Sequence, residues 1–429
     1  MNTFPHPIKK VLPSGLTVLV VPQKESPSVT VGVFVRAGAA YETKKNNGIS
    51  HFLEHMCFKG TTRRPTPLAI SSEFEQLGAS YNAFTSRDLT GYYGKVASRS
   101  FEKILDLLAD MYLNPTFVDA EIEKEKGVIV EEINMYEDEP RAKVSQVLDA
   151  TMYGDQPAGW EVAGVKKNIY ATTRQTFLDY RGTHYHAQKT IVVVAGSVDP
   201  RSAFKKVSEK FSSITRAARI VRAARVIENQ KSPRIAVHTK PLDQTHLLLG
   251  IKAFPASDER RFVLAMLSGV LGEGMSSRLF QKVREEMGAA YYVRSVPSLF
   301  ATHGYLEIAA GVNHQKASAA VGAIVDELKK ISKDGISEKE LSRAQEHAIG
   351  TFALSLETSS DVGFFYGEQE VVLGELKSPR AIMDAFRAVR PGDVRRLAQK
   401  LFVNKGVSLA VVGPGFTHEA FSPLVRFSS

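Results

Sequence analysis

The segment from His51 to His55 contains the residue types that bind and use a metal ion. On a helix, residues four apart share one face, so the imidazoles of His51 and His55 can reach one ion. Glu54 follows His51 by three residues and falls on the same side. Catalytic zinc takes three protein ligands and keeps a fourth position for water. The segment therefore predicts a metal site that needs one more ligand; the alternative is an amphipathic helix with two surface histidines.

Candidates for the missing ligand lie in the segment from Asp119 to Tyr136, whose apolar residues recur at helical spacing. A carboxylate is the usual partner of two histidines on hydrolytic zinc. Glu125 and Glu132 are seven residues apart and would share one helix face, two turns apart. Carboxylates on a partly apolar face are costly unless they meet a cation or a hydrogen-bond donor. The neighbouring Glu131 remains an alternative ligand.

Residues 48–56, followed by Phe58-Lys59-Gly60-Thr61, resemble the zinc helix of the pitrilysin family, and most closely its processing-peptidase branch. In that family a distal glutamate, preceded by another glutamate seven residues earlier, is the third ligand. The resemblance thus implies one Zn²⁺ per subunit held by His51, His55 and Glu132, with Glu125 holding the ligands in place. Glu54 would be the general base that takes a proton from zinc-activated water and passes it to the leaving amine.

The family also carries an arginine and a tyrosine, seven residues apart, that contact the substrate near the scissile bond. Arg284 and Tyr291 have this spacing, whereas the competing Tyr292 is one residue too far. A guanidinium and a phenol are suitable donors to a developing oxyanion or a peptide carbonyl. Without the resemblance, Arg284 reads as an ordinary solvent-exposed arginine.

A strand beside the zinc helix is the expected site of substrate binding. The segment Tyr81-Asn82-Ala83-Phe84-Thr85-Ser86 resembles the family's edge strand, which pairs with the substrate backbone. Such pairing recognises an extended peptide more than a sequence. The resemblance implies that Asn82, Ala83 and Phe84 contact the substrate; the alternative is an ordinary edge strand.

Internal similarity predicts a duplicated fold. The strand-like segments at Thr30 and Thr245 start 215 residues apart, and two later ones end at Gly196 and Gly413, 217 residues apart. Two pairs at nearly one offset indicate two related domains. Within each half, strands precede helices, which is typical of an α+β fold in which helices cover a mostly antiparallel sheet.

The predicted domains are a zinc-binding catalytic domain at 1–215 and a related domain at 235–429. An extended basic linker, 216–234, joins them. The offset places the zinc helix opposite residues 262–270, which contain no His, Asp or Glu, so the second domain cannot bind zinc there. In larger relatives with two such halves in tandem, the arginine–tyrosine pair and zinc lie in different domains. The resemblance therefore implies a homodimer with composite active sites.

Composition narrows the class of protein. Cys57 is the only cysteine, so no intramolecular disulfide can form. The start of the chain has no signal or transit pattern, and no apolar run approaches a membrane span. We expect a bacterial cytoplasmic protein without membrane or nucleic-acid partners, because the net charge of +9 is accompanied by no nucleic-acid-binding motif.

These patterns together predict a zinc-dependent endopeptidase that cuts extended or unfolded peptides. Two other functions are consistent with the same fold: a non-catalytic partner subunit, and a peptide-binding module whose hydrolysis is incidental. The intact metal-binding and base residues count against the first. Metal content and turnover on a peptide would separate all three.

Overall fold

A computed structural model describes residues 4–427, which form two compact units. The first unit comprises the chain up to Asn134 together with Glu161–Ala224 and Ala353–Pro379. The second comprises Met135–Trp160, Arg225–Phe352 and the chain from Arg380 onward.

The strands of the described residues, in chain order, are β1 (Ile8–Val11), β2 (Thr17–Pro22), β3 (Ser28–Val35), β4 (Ser80–Thr85), β5 (Thr90–Ala97), β6 (Thr190–Gly196), β7 (Arg234–Thr239), β8 (Thr245–Lys252), β9 (Ala290–Leu299), β10 (Gly304–Val312) and β11 (Val407–Gly413). The α-helices are α1 (Ile49–Met56), α2 (Pro67–Gln76), α3 (Phe101–Leu113), α4 (Asp119–Asp138), α5 (Pro140–Tyr153), α6 (Lys166–Ala171), α7 (Arg174–His184), α8 (Pro200–Lys210), α9 (Arg261–Gly272), α10 (Ala317–Asp334), α11 (Glu338–Leu354), α12 (Ser359–Val372), α13 (Pro379–Ala388) and α14 (Pro391–Leu401).

The sheet of the first unit has the strand order β1-β2-β6-β3-β5-β4. Only β2 and β6 are parallel; the other neighbours are antiparallel. The central strands β3 and β6 are almost continuous runs of apolar residues that are buried on both faces. In contrast, β4 is partly exposed and lies at an edge, where its outer backbone groups are available for pairing.

The sheet of the second unit repeats this arrangement. Its order, β7-β11-β8-β10-β9, corresponds strand for strand to β2-β6-β3-β5-β4, including the one parallel pair, β7 with β11. The repeated segments at Thr30 and Thr245 are β3 and β8, in equivalent positions. The α+β fold with two duplicated, mostly antiparallel sheets is thus confirmed. Helix α9 follows β8 as α1 follows β3, and it contains the segment 262–270 that lacks metal ligands.

The compact units differ from the contiguous halves 1–215 and 235–429 by the exchange of two helices. Helix α12, from the second half, packs Val362 and Tyr366 on the first sheet. Helix α5, from the first half, packs Val144 and Leu148 on the second sheet. An amphipathic helix needs an apolar sheet face to cover, but its periodicity does not specify which sheet. Residues 216–233, in the predicted linker, form neither helix nor strand.

No helix within residues 4–427 combines the length and the apolarity needed to cross a lipid bilayer. The cytoplasmic location stays a prediction.

Candidate metal centre

The start of α1 is built by a glycine and a buried carboxylate. Gly48 has φ = 99°, and a Cβ there would lie 2.8 Å from the Ala163 carbonyl oxygen. Both the backbone conformation and the lack of space therefore favour glycine at this position. Glu42 accepts hydrogen bonds from the backbone N–H groups of Gly48 and Ser50, both at 2.8 Å. These donors are among the unpaired N–H groups of a helix N-terminus, where negative charge is stabilising. Glu42 therefore holds α1 in place from outside the helix.

Helices α1 and α4 bring three potential ligands together. His51 Nε2 and His55 Nε2 lie 3.5 Å and 3.6 Å from Glu132 Oε2. All three ligand atoms lie within 4.8 Å of one another. Among the described residues, this is the one group of three or more His, Cys, Asp or Glu side chains with such geometry.

The donor set fits zinc. Two atoms that are each about 2.1 Å from a tetrahedral ion are about 3.4 Å apart, close to the two nitrogen–oxygen separations above. Two imidazoles and one carboxylate form a common protein ligand set of hydrolytic zinc, which leaves a position for water. Burial, followed by the proximity of His55, lowers the pKa of His51 to about 4, and a neutral imidazole is the form that binds metal.

Glu125 orients His55. His55 Nδ1 lies 2.8 Å from Glu125 Oε1, while Lys59 Nζ lies 2.5 Å from Glu125 Oε2. Burial works against charge on Glu125, but its hydrogen bonds to His55 and Lys59 outweigh burial and lower its pKa. An ionised Glu125 accepts the Nδ1–H of His55 and leaves Nε2 available to a metal, as carboxylates behind ligating histidines commonly do.

Glu54 lies on α1 between the two histidines and is 8% exposed. Its Oε2 accepts a 2.6 Å hydrogen bond from the hydroxyl of Thr85, the last residue of β4. Burial raises the pKa of Glu54. The carboxyl group is therefore fixed in orientation and shielded from bulk water, next to the edge of the sheet.

Strand β4 presents its two faces differently. Thr85 points to α1, and alternation along the strand places Ala83 on the same face. Phe84 packs on the opposite face, against Phe34. Asn82 shares that opposite face, is exposed, and accepts a hydrogen bond from the adjacent N–H of Ala83 at 2.9 Å. Near Glu54, β4 therefore presents its backbone edge, whereas the Asn82 side chain lies on the opposite face of the strand.

The predicted arginine–tyrosine pair belongs to the second unit. Arg284 lies in a π-helical segment, Phe280–Glu286, and its guanidinium packs 4.7 Å from the centre of the Phe280 ring. Tyr291 is 70% exposed and is the extra residue where the pairing of β9 with β10 shifts register. β-Bulges re-aim side chains and are frequent next to active sites. The competing Tyr292 faces other residues of the second unit and accepts or donates a hydrogen bond with His246.

Three residues of this neighbourhood were missed by sequence reasoning: Glu42, Lys59 and Thr85. Lys59 and Thr85 lie inside the segments that carried the family resemblance, so their positions were visible but their roles were not. Glu42 lies six residues before Gly48, and no local pattern links it to the start of α1.

Two family models match successive parts of the chain. Residues 17–166 match the family described as Insulinase (Peptidase family M16), and residues 171–347 match Peptidase M16 inactive domain. The zinc protease YmxG of Bacillus subtilis is 34% identical over 401 residues, which cover 94% of this chain and 97% of that protein. The chain belongs to peptidase family M16. Its resemblance to the pitrilysin family is thereby confirmed, and zinc is the cofactor of this metalloprotease.

Other M16 relatives extend the similarity over nearly the whole chain. A zinc protease of Rickettsia bellii is 32% identical over 409 residues, covering 94% of this chain and 96% of its own length. The crystal structure of a protease from Helicobacter pylori superposes with a TM-score of 0.91 at 25% identity, over 96% of this chain and all of that one. The M16 match described as an inactive domain includes α9, where metal ligands are missing.

Proposed function

We propose that this M16 protease is an endopeptidase that hydrolyses extended or unfolded peptides, in the manner of the processing peptidases. The observation that supports this most is the convergence of His51, His55 and Glu132 next to Glu54, beside the free edge of β4. A metal site alone would serve many functions. A metal site with a fixed carboxyl group beside an unpaired strand edge suits peptide hydrolysis.

In the proposed reaction, His51, His55 and Glu132 hold the metal. Bound zinc supplies Lewis acidity and lowers the pKa of water toward about 7. Glu54 accepts the proton of the attacking water and later donates it to the leaving amine. Thr85 keeps the Glu54 carboxylate oriented through its hydroxyl. Glu125 keeps the His55 ring oriented.

The proposed substrate lies along β4 as an added strand. Its backbone pairs with the outer groups of residues 82–84, and the side chains at Asn82, Ala83 and Phe84 flank it. Backbone pairing requires an extended chain and excludes folded segments. An unfolded peptide therefore reaches Glu54, whereas a folded domain does not.

Digestion of a mixed peptide library tests this function. The zinc-loaded protein should cut peptides at internal bonds, lose activity after chelation, and regain it when zinc is restored. Fragments would be identified by mass spectrometry and zinc by elemental analysis, with a compact folded domain as the resistant control. Full zinc occupancy without turnover would instead favour the non-catalytic subunit or the peptide-binding module, and removal of single terminal residues would contradict an endopeptidase.

We further propose that two copies associate and that each active site is composite. Arg284 and Tyr291 of one subunit would then contact the peptide held at His51, His55 and Glu132 of the other. The second unit lacks metal ligands in α9 yet exposes Tyr291 on a bulge, which suits a contribution made to a partner.

Mixed dimers test the composite site. Glu54→Gln and Arg284→Ala homodimers should both be impaired. In a purified heterodimer of the two, one site combines Glu54 of the Arg284→Ala subunit with Arg284 of the Glu54→Gln subunit, and activity should approach half that of the wild type. A heterodimer of wild type with Glu54→Gln is the control, since it should be half-active in either arrangement. No recovery in the doubly mutant heterodimer, or a monomer in light scattering, would contradict the proposal.

A further inference from the structure

The second unit contains a cavity of about 290 Å³ between α5 and one face of its sheet. One side of the lining is apolar and buried, formed by Val144, Leu248 and Ala309. The other side carries two exposed guanidinium groups, from Arg141 of α5 and Arg294 of β9. Cavities with an apolar wall and a few convergent polar groups are the usual form of a ligand site.

Arg141 stacks on the ring of Tyr292, which in turn lies on the backbone of Gly311. Tyr292 on β9 lies across Gly311 of β10, where a Cβ would come within 2.3 Å of the ring. The hydroxyl of Tyr292 reaches His246 Nδ1 on β8 at 3.0 Å, which fixes the far end of the ring. The guanidinium of Arg141 packs 4.5 Å from the centre of that ring. A stacked guanidinium keeps its N–H donors along its edge, so Arg141 is preorganised for a planar acceptor.

The charged side chains that line the cavity have a net charge of +1. Arg294 pairs with Glu307 at 3.5 Å, and both line the cavity. Within residues 4–427, Arg141 has no ion-pair partner. The lining therefore carries two cations and one anion, which suits a ligand with a single negative charge. A dianionic phosphate would suffer repulsion from Glu307.

We propose that this cavity binds a peptide carboxylate, with Arg141 as its main partner and the apolar wall receiving an aliphatic side chain. The volume of about 290 Å³ leaves room for one amino-acid residue with its carboxylate. The carboxylate is either the free C-terminus of a peptide or an Asp or Glu side chain. This assignment rests on the proposed endopeptidase function, which makes a peptide the expected ligand.

Binding is measured with the zinc-loaded Glu54→Gln protein, full length, so that the probe is not consumed. The probes are fluorescent pentapeptides of alanine and leucine with a free C-terminal carboxylate, with a C-terminal amide, and with an internal glutamate and a C-terminal amide. Fluorescence anisotropy should show the free acid binding about tenfold or more tightly than the plain amide, the effect of a charge-assisted pair. Equal affinity for all three peptides, or no binding of any of them, would overturn the proposal.

Variants of Arg141 test whether this residue causes the preference for the free acid. Arg141→Gln should remove the preference for the acid, and Arg141→Lys should retain only part of it because an ammonium group lacks the planar fork. Arg260→Gln is the matched control, since Arg260 also stacks on a ring of this unit, 4.7 Å from the centre of Phe254, but does not line the cavity. A preference that survives Arg141→Gln would refute the assignment. Tight binding of the internal-glutamate peptide would support the cavity and identify a side-chain carboxylate as its ligand.

The same experiment separates the two proposals. If the wild-type protein cuts no peptide but the acid still binds more tightly than the amide, the endopeptidase function fails and the carboxylate site stands. If peptides are cut but the free acid, the plain amide and the internal-glutamate peptide all bind equally, the carboxylate site fails and the endopeptidase function stands.

Discussion

Glu54→Gln should abolish peptide hydrolysis while zinc stays bound. The amide has the shape of the carboxylate but cannot accept the proton of the attacking water, and loss of a general base typically costs about 10²–10⁴ in rate. Glu54 is not one of the three converging metal ligands, so zinc affinity should change little. The hydroxyl of Thr85 can still donate to the amide oxygen. Burial raises the pKa of Glu54, and the Gln side chain introduces no buried charge, so the variant should fold.

Turnover of a quenched peptide and zinc content by elemental analysis would be measured on the same samples. Glu75→Gln, the same chemical change at an exposed position of α2, is the matched control and should have wild-type activity. Substantial activity in Glu54→Gln would remove Glu54 from the role of base. Loss of zinc together with activity would instead place it among the metal ligands.

The second large effect concerns the third ligand, for which three glutamates of α4 should rank in a definite order. Glu132→Gln should lower zinc affinity by more than about 100-fold, because it removes the only anion among the converging donors. Glu125→Gln should lower it by about 10–100-fold, the usual cost of losing a carboxylate behind a ligating histidine. Glu131→Gln should have little effect, since Glu131 is exposed and outside the converging group.

Equilibrium dialysis against buffered zinc gives the three affinities, and circular dichroism of the metal-free proteins checks that each variant is folded. Glu131→Gln is the internal control, because it makes the same substitution in the same helix one residue away. A larger loss for Glu131→Gln than for Glu132→Gln would show that the ligand had been assigned to the wrong neighbour.

Some structural features of this protein follow from its sequence alone, because the sequence signals for them are local or periodic. Helical spacing put His51 and His55 on one face of α1, and a separation of seven residues put Glu125 and Glu132 on one face of α4. The repeated strands at Thr30 and Thr245 occupy equivalent places in two sheets of the same order. In each case the information lies within a few turns of helix or in a comparison of two segments.

The tertiary structure decided whatever depends on which elements meet. Helix α5 packs on the sheet of the second half and α12 on the sheet of the first half. Any apolar sheet face can accept either helix, so only the tertiary structure decides between them. It sets Thr85 against Glu54 and brings Glu42 to the start of α1. It also layers Arg141 on Tyr292, which are far apart in sequence. Contacts of this kind arise from packing between distant segments, and no periodicity within either segment specifies them.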